Sequence, residues 1–194
     1  GSPRLSMEAW NPYGWLLRLS DKGYTWEHVP QILYGTYSHE RNQKDILNKY
    51  LQEAFPNSQV ISNQDGVTNT VQYSIEGSPL VSIVIPMRDG VEDTKKCISS
   101  IYKKTTYKNF EIIIADNGSE KLETKEYITQ VKNMYTNIHV ISIDMPFNYS
   151  RINNIAIRNQ AHGEFIVLLN NDTSIITRNW LEQMVGYAQL THVG

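Results

Sequence analysis

Val81-Ser82-Ile83-Val84-Ile85, Glu111-Ile112-Ile113-Ile114-Ala115 and Phe165-Ile166-Val167-Leu168-Leu169 are three short runs made almost entirely of apolar, largely β-branched residues. A strand solvated on one face alternates apolar with polar side chains. A strand covered by helices on both faces does not, and near-continuous runs of this kind are written by parallel sheets. Between and around the runs lie amphipathic stretches, Val91 to Tyr102, Glu120 to Lys132, Tyr149 to Asn159 and Arg178 to Leu190, and a further strand pattern at Ile138 to Ile143. From Leu80 onward the order is therefore β-α four times over, which predicts an α/β, Rossmann-like, mainly parallel sheet with helices on both faces. The last helix should bury Leu181, Met184, Val185 and Ala188, with Thr177 capping its start.

Residues 1–78 have another texture and read as a smaller α+β lead-in to the domain at 79–194. Trp15 to Ser20 is a short amphipathic piece, Tyr24 to Val29 a strand ended by Pro30, and Arg41 to Phe55 a helix with Ile46, Leu47, Tyr50, Leu51 and Ala54 at helical spacing. Asp65-Gly66 signals a tight turn into a strand whose Val67, Val71, Tyr73 and Ile75 share one face.

Composition narrows the function classes. The formal net charge of -2 offers no basic excess to a phosphate backbone, so nucleic acid is a poor partner. The single cysteine, Cys97, excludes an intrachain disulfide and sits in a helical pattern as a buried structural thiol; nothing argues for an oxidising compartment, and the chain reads as cytoplasmic. No stretch approaches the roughly 20 apolar residues of a membrane span. The five histidines, His28, His39, His139, His162 and His192, are scattered without the close pairing that a zinc site shows in sequence, and are expected in isolated surface or packing roles.

In open parallel sheets ligands gather beyond the carboxyl ends of the strands, so the segments after Ile85, Ala115, Ile143 and Leu169 are the ones to read for chemistry. After the first comes Pro86-Met87-Arg88-Asp89-Gly90, with neither a glycine-rich dinucleotide fingerprint nor a Gly-Lys-Ser/Thr phosphate loop. A diphosphate bound here would need another positive charge, most simply a metal ion. After the second comes Asp116-Asn117-Gly118-Ser119, where the carboxylate either accepts a hydrogen bond from a ring N–H, as of uracil, or merely closes a turn. After the last, Asn170-Asn171-Asp172-Thr173 clusters oxygen-bearing side chains of the kind hard cations such as Mn²⁺ or Mg²⁺ prefer, though an ordinary strand-to-helix turn is written the same way.

The order of these segments resembles family 2 glycosyltransferases of the A type over Pro79 to Gly194. The blocks that carry the likeness are Val81 to Pro86, Asn109 to Ser119, Asn148-Tyr149-Ser150-Arg151-Ile152-Asn153-Asn154, Gly163-Glu164-Phe165 and Leu169 to Thr173. The resemblance implies the nucleotide-sugar-binding half of a glycosyltransferase A fold, in which Pro86, Arg88 and Asp89 lie near the base, Asp116 bonds it, and Asn117 and Gly118 form its turn. It further implies that Asn170 replaces a ribose-contacting aspartate, with Asn171 beside it, and that Asp172 is the metal ligand. Asn153 stands where many members carry an arginine, next to the matching Asn154, and Asn117, Gly118, Asn153, Asn154 and Asn171 all belong to the nucleotide-sugar-binding set that the resemblance implies. The catalytic base is expected after Gly194. More loosely, Trp15 to Leu19, Lys22-Gly23-Tyr24 and His28 to Tyr34 resemble the closing segment of such a domain, which implies a tandem parent protein.

The expected function is transfer from a UDP-sugar or dTDP-sugar to a glycan hydroxyl in cell-surface polysaccharide synthesis, with self-association through an exposed face of the half-domain. A non-catalytic nucleotide-binding or docking module is the alternative. A nucleotidyltransferase would want a fuller basic, glycine-rich loop than Arg88-Asp89-Gly90 supplies.

Overall fold

The computed structural model describes residues 43–64, 68–191 and 193. They form two compact units that divide between Ser74 and Ile75. The expected elements at Trp15 to Ser20 and Tyr24 to Val29, the start of the first helix at Arg41 and the Asp65-Gly66 turn lie outside the described residues.

In the smaller unit, α1 (Gln43–Ala54) lays Leu47 and Leu51 on an antiparallel pair, β1 (Gln59–Ser62) and β2 (Asn69–Gln72), registered Val60 to Val71. Tyr50, Phe55, Val71 and Tyr73 complete this small core. β1 was not anticipated, because Val60 is its one buried side chain and four residues carry too little alternation to read. Ile75, expected to share a face with Val71 and Tyr73, packs instead on the core of the larger unit.

The larger unit is one four-stranded sheet in the order β5-β4-β3-β6, with every pairing parallel. Its elements follow the expected alternation: β3 (Val81–Met87), α2 (Val91–Lys104), β4 (Phe110–Asp116), α3 (Leu122–Met134), β5 (Ile138–Ser142), α4 (Tyr149–Gln160), β6 (Phe165–Leu168) and α5 (Trp180–Ala188). Alternate residues of the central strands feed two cores. Val81, Ile83 and Ile85 of β3 with Phe110, Ile112 and Ile114 of β4 meet Cys97, Ile98 and Ile101 of α2, Val131 of α3 and Leu181 and Val185 of α5. Val84, Ile113 and Ala115 meet Ile152 and Ala156 of α4 on the other face. Each isoleucine so buried is worth about 1.5–3 kcal/mol, which is why the strands read as unbroken apolar runs.

Helix ends follow local chemistry in two cases. α2 carries Glu92 and Asp93 in its first turn and Lys103 and Lys104 in its last, matching the helix dipole. The Asn148 side chain accepts the Arg151 backbone N–H at 2.9 Å and caps α4. Thr177 does not cap α5, which begins only at Trp180 without a side-chain cap. The approach to α5 is pinned elsewhere: Arg178 O accepts from both the backbone N–H and the hydroxyl of Thr106, and Trp180 Nε1 donates to Thr105 Oγ1. On α5 itself Leu181 and Val185 are buried, but Met184 and Ala188, expected beside them, are exposed.

The loop into β6 passes so close to β3 that only glycine fits. A Cβ on Gly163 would stand 2.6 Å from Ser82 N of β3 and 2.7 Å from Leu80 O just before it, both backbone atoms. By contrast Gly77 has φ +69 and open space around it. Gly163→Ala should therefore cost at least about 1–3 kcal/mol through overpacking, and Gly77→Ala about 1–2 kcal/mol through backbone strain alone. Urea unfolding followed by circular dichroism checks the ranking; equal midpoints for Gly163→Ala and the parent would show that the loop does not press on β3.

Candidate functional site

Chain order and sheet order together locate a crevice. From β3 the chain steps outward to β4 and β5, then returns to place β6 on the opposite side of β3. The β3/β6 boundary is thus a topological switch point, where ligands of open α/β sheets collect. Pro86 opens it. The even-numbered residues of β3 turn their peptide groups toward β6, since Leu80 O accepts Phe165 N–H and Val84 O accepts Leu169 N–H. Pro86 comes next in that series and has no N–H to give, so the β3–β6 ladder stops there while β3–β4 pairing continues to Met87 and Asp116.

A cleft of about 280 Å³ fills this opening, lined by Pro86, Met87, Arg88 and Asn117 on one side, Asn170 and Asn171 on another, and Phe147, Tyr149 and Ile152 on the third. Five of the expected site residues, Pro86, Arg88, Asn117, Asn170 and Asn171, are thereby brought together. Asp172 follows directly in the chain and is exposed. Its turn is fixed from below: Asn170 O accepts the Thr173 N–H, and the Asn171 amide donates to Thr94 Oγ1 of α2 at 3.2 Å. Arg88 pairs with Glu120 at 3.4 Å on open surface, a contact worth little and cheaply exchanged for an anionic ligand.

Asp89, Asp116 and Gly118 stand outside the cleft lining and form an adjoining network of turns. Asp89 and Gly90 are both left-handed, with φ 52 and 62. The Asp89 N–H donates to Ser119 Oγ, and its carboxylate accepts the Lys121 N–H at 3.0 Å. That backbone donor, ahead of the opposing effect of burial, holds the Asp89 carboxyl below its ordinary value. One Asp116 oxygen accepts the Ser119 N–H at 3.0 Å, so the turn-closing role is filled and the other oxygen remains. Gly118 has φ +73 and lies against Asp144, where a side chain would be strained.

Two of the expected binding residues turn inward. Asn117 is 3% exposed, and its amide donates to Ile143 O and Met145 O, both at 2.8 Å, fastening the loop after β5 to the end of β4. Asn153 is buried on α4, where its amide donates to Tyr149 O of the same helix, while Asn154 faces out; neither lines the cleft. Cys97 is buried as expected, and burial, with the charge of Asp172 adding to it, pushes its thiol up to about 11. The expectation of isolated histidines fails for two of the five: His139 and His162 both meet the buried carboxylate of Glu111.

Met87, Phe147, Tyr149 and Ile152 were not anticipated in the lining. Phe147, 72% exposed, is the clearest omission. It follows the third strand, one of the positions that sheet geometry singles out, and a phenylalanine beside Pro146 in such a loop is itself a signal.

Residues 82–193 match the family described as Glycosyl transferase family 2. The chain belongs to that family. Among relatives of this family 2 chain, protein y4gI of Sinorhizobium fredii is 41% identical over 122 residues, covering 63% of the chain and 13% of the relative. The O-antigen biosynthesis protein RfbC of Myxococcus xanthus is 35% identical over 124 residues, covering 64% and 10%. The chain thus spans only a small part of these relatives. Two solved structures share the fold at 19% identity: a mannosyltransferase from Pyrobaculum calidifontis in complex with GDP-Man and Mn²⁺ (TM-score 0.55, 61% of this chain and 34% of that one), and GalNAc-T7 with UDP, GalNAc and Mn²⁺ (TM-score 0.56, 62% and 23%). No helix among the described residues is long and apolar enough to cross a membrane.

The inward role of Asn117 generates a stability prediction. Asn117→Ala removes one buried and one part-buried hydrogen bond to the Ile143 and Met145 carbonyls, which should cost about 2–3 kcal/mol in urea unfolding and speed hydrogen exchange in the Ile143 to Met145 loop. Asn154→Ala, on the exposed face of α4, should change neither. Equal losses in the two variants would remove Asn117 from the framework.

Proposed function

We propose that the cleft between β3 and β6 binds a nucleoside-diphosphate sugar, a UDP-sugar or dTDP-sugar, together with Mn²⁺ or Mg²⁺, for transfer of the sugar to a glycan hydroxyl in cell-surface polysaccharide synthesis. The observation that carries this reading is the convergence of Arg88, Asn170, Asn171 and the neighbouring Asp172 on a switch-point cleft that has no glycine cradle for phosphate. Membership of family 2 supports it, as do one relative whose name concerns O-antigen biosynthesis and fold neighbours solved with nucleotide and Mn²⁺.

The residues fit a hard cation. Asp172 is an exposed carboxylate flanked by the oxygens of Asn170, Asn171 and Thr173, and such ions are held by one or two protein carboxylates beside substrate phosphates. Bound there, the ion supplies positive charge to the departing diphosphate. The protein's own groups do the rest of the binding. Asp116 offers its free oxygen to the N–H of the base, the exposed ring of Phe147 offers a face for stacking, Arg88 leaves Glu120 for phosphate, and Asn170 meets the ribose. Asn170 carries no charge where a carboxylate is expected, which favours, as the second reading, a module that binds the nucleotide without transfer. Because the catalytic base is expected after Gly194, mass analysis of glycan acceptors after incubation with UDP-sugars and dTDP-rhamnose separates the two when the protein assayed carries the residues that follow.

Asp172→Ala should abolish the Mn²⁺-dependent part of UDP affinity and leave the fold intact, since the side chain is exposed at a strand end. Isothermal titration with and without Mn²⁺ checks this, and unchanged metal-dependent affinity would remove Asp172 from the site. Asp116→Asn should weaken UDP binding by about 1–3 kcal/mol in EDTA as well as in Mn²⁺, because an amide presents a donor to the base N–H. Identical affinities in EDTA would leave Asp116 a turn residue only.

A further inference from the structure

At the amino end of the same sheet, remote from the cleft, Glu111 of β4, His139 of β5 and His162 of the loop into β6 converge. We propose that these three side chains form a zinc-type metal site, separate from the nucleotide site and independent of its function, that ties two strands and a loop together.

Glu111 is 5% exposed, and a carboxylate buried to that degree has to be fully partnered. Its two oxygens are used differently. Oε1 accepts the Ser82 hydroxyl at 2.6 Å and the His162 backbone N–H at 2.7 Å, which fixes the orientation of the group. Oε2 faces only imidazole nitrogens, His162 Nδ1 at 3.2 Å and His139 Nε2 at 3.3 Å. Burial pushes the carboxyl up, but the hydrogen bonds from Ser82 and His162 outweigh it and hold it below the ordinary value.

The two contacts to Oε2 are those of hydrogen-bonded imidazoles and equally those of neighbouring ligands around one ion. Charge-assisted N–H···O bonds run at about 2.7–2.9 Å, shorter than either contact to Oε2. Zinc holds nitrogen at about 2.0–2.1 Å and oxygen at about 2.0–2.2 Å, which separates neighbouring ligand atoms on a tetrahedron by roughly 3.3–3.4 Å. The three ligand atoms all lie within 4.8 Å of one another. His139 is partly exposed and His162 exposed, so the fourth position opens to solvent. Two imidazoles and one carboxylate suit zinc better than Mg²⁺ or Mn²⁺, which favour all-oxygen sets. The Ser82 hydroxyl and the His162 N–H stand as outer partners of the ligating carboxylate, the arrangement that orients protein ligands in metal sites. Ser82 Oγ also accepts the Gly163 N–H at 2.8 Å, so the loop that carries His162 is held to β3 by the same hydroxyl.

The test is Zn²⁺ titration of the chelator-treated chain in competition with a chromophoric chelator, with Co²⁺ absorption as a report on geometry. One equivalent of Zn²⁺ should bind, raise the melting temperature, and give Co²⁺ the intense visible bands of a four-coordinate site. His139→Ala and His162→Ala change a partly exposed and an exposed side chain and should keep the fold by circular dichroism, yet each should weaken Zn²⁺ binding at least about 100-fold. Ser82→Ala should weaken it by roughly 10–100-fold. Asp172→Ala should retain the zinc equivalent, so failure here is distinguishable from failure of the nucleotide reading. Zinc affinity unchanged in the double histidine variant, zinc retained only in proteins that keep Asp172, or weak six-coordinate Co²⁺ bands would each overturn the assignment.

Discussion

A parallel sheet whose central strand carries a proline at its carboxyl end has to part on one side, and much of this protein follows from that parting. Pro86 withholds the N–H that would continue the β3–β6 ladder, while its neighbours keep β3 joined to β4 as far as Asp116. The same two strands flank the point where the chain reverses its direction across the sheet. The break in hydrogen bonding and the topological switch thus coincide, and the turns that leave β3 and β6 face each other across a cleft. What those turns carry, Arg88 on one side and Asn170 to Asp172 on the other, determines which ligand the opening can hold.

The two faces of the sheet are unequally covered. Among the described residues one is closed by α2, α3 and α5, whereas the other has α4 alone, packed on β3, β4 and β5. On that face Ile166 and Leu168 of β6 remain 38% and 47% exposed. Among the described residues β6 is therefore an edge strand with an apolar face, while its other face buries Val167. The amino end of the sheet is organised by polar chemistry instead: a buried carboxylate fixed by a serine, a backbone N–H and two histidines. The ends are consequently distinct in character, one built of exposed turns and the other around a single inward charge.

Most of the larger unit was legible because its elements announce themselves locally. The β-branched runs of β3 and β4 are buried on both faces, and helices α2, α3 and α4 begin and end within a few residues of their apolar periodicity. Strand ends were legible for the same reason, and Pro86, Arg88, Asn170 and Asn171, assigned to the site at those ends by the family resemblance, do line one cleft. Side-chain direction was less so. Asn117 and Asn153 each spend their amide on backbone carbonyls inside the fold, although Asn117 also lines the cleft. Thr177 failed as a cap because Thr105 and Thr106 pin the approach to α5. His139 and His162 lie far from Glu111 in the chain and meet it only through the pairing of β4 with β5 and the passage of the β6 loop over β3, which no spacing rule encodes.

The account turns on where a divalent ion sits when nucleotide is bound. Mn²⁺ broadens amide resonances near it, so a ¹⁵N-labelled chain titrated with Mn²⁺, first alone and then with UDP, maps the site directly. On addition of UDP, broadening should centre on Asn170 to Thr173 and reach the Met87 to Gly90 turn across the cleft. Broadening that UDP leaves unchanged at those amides, or that centres on the amino end of the sheet around Glu111 and His162 when UDP is present, would contradict it.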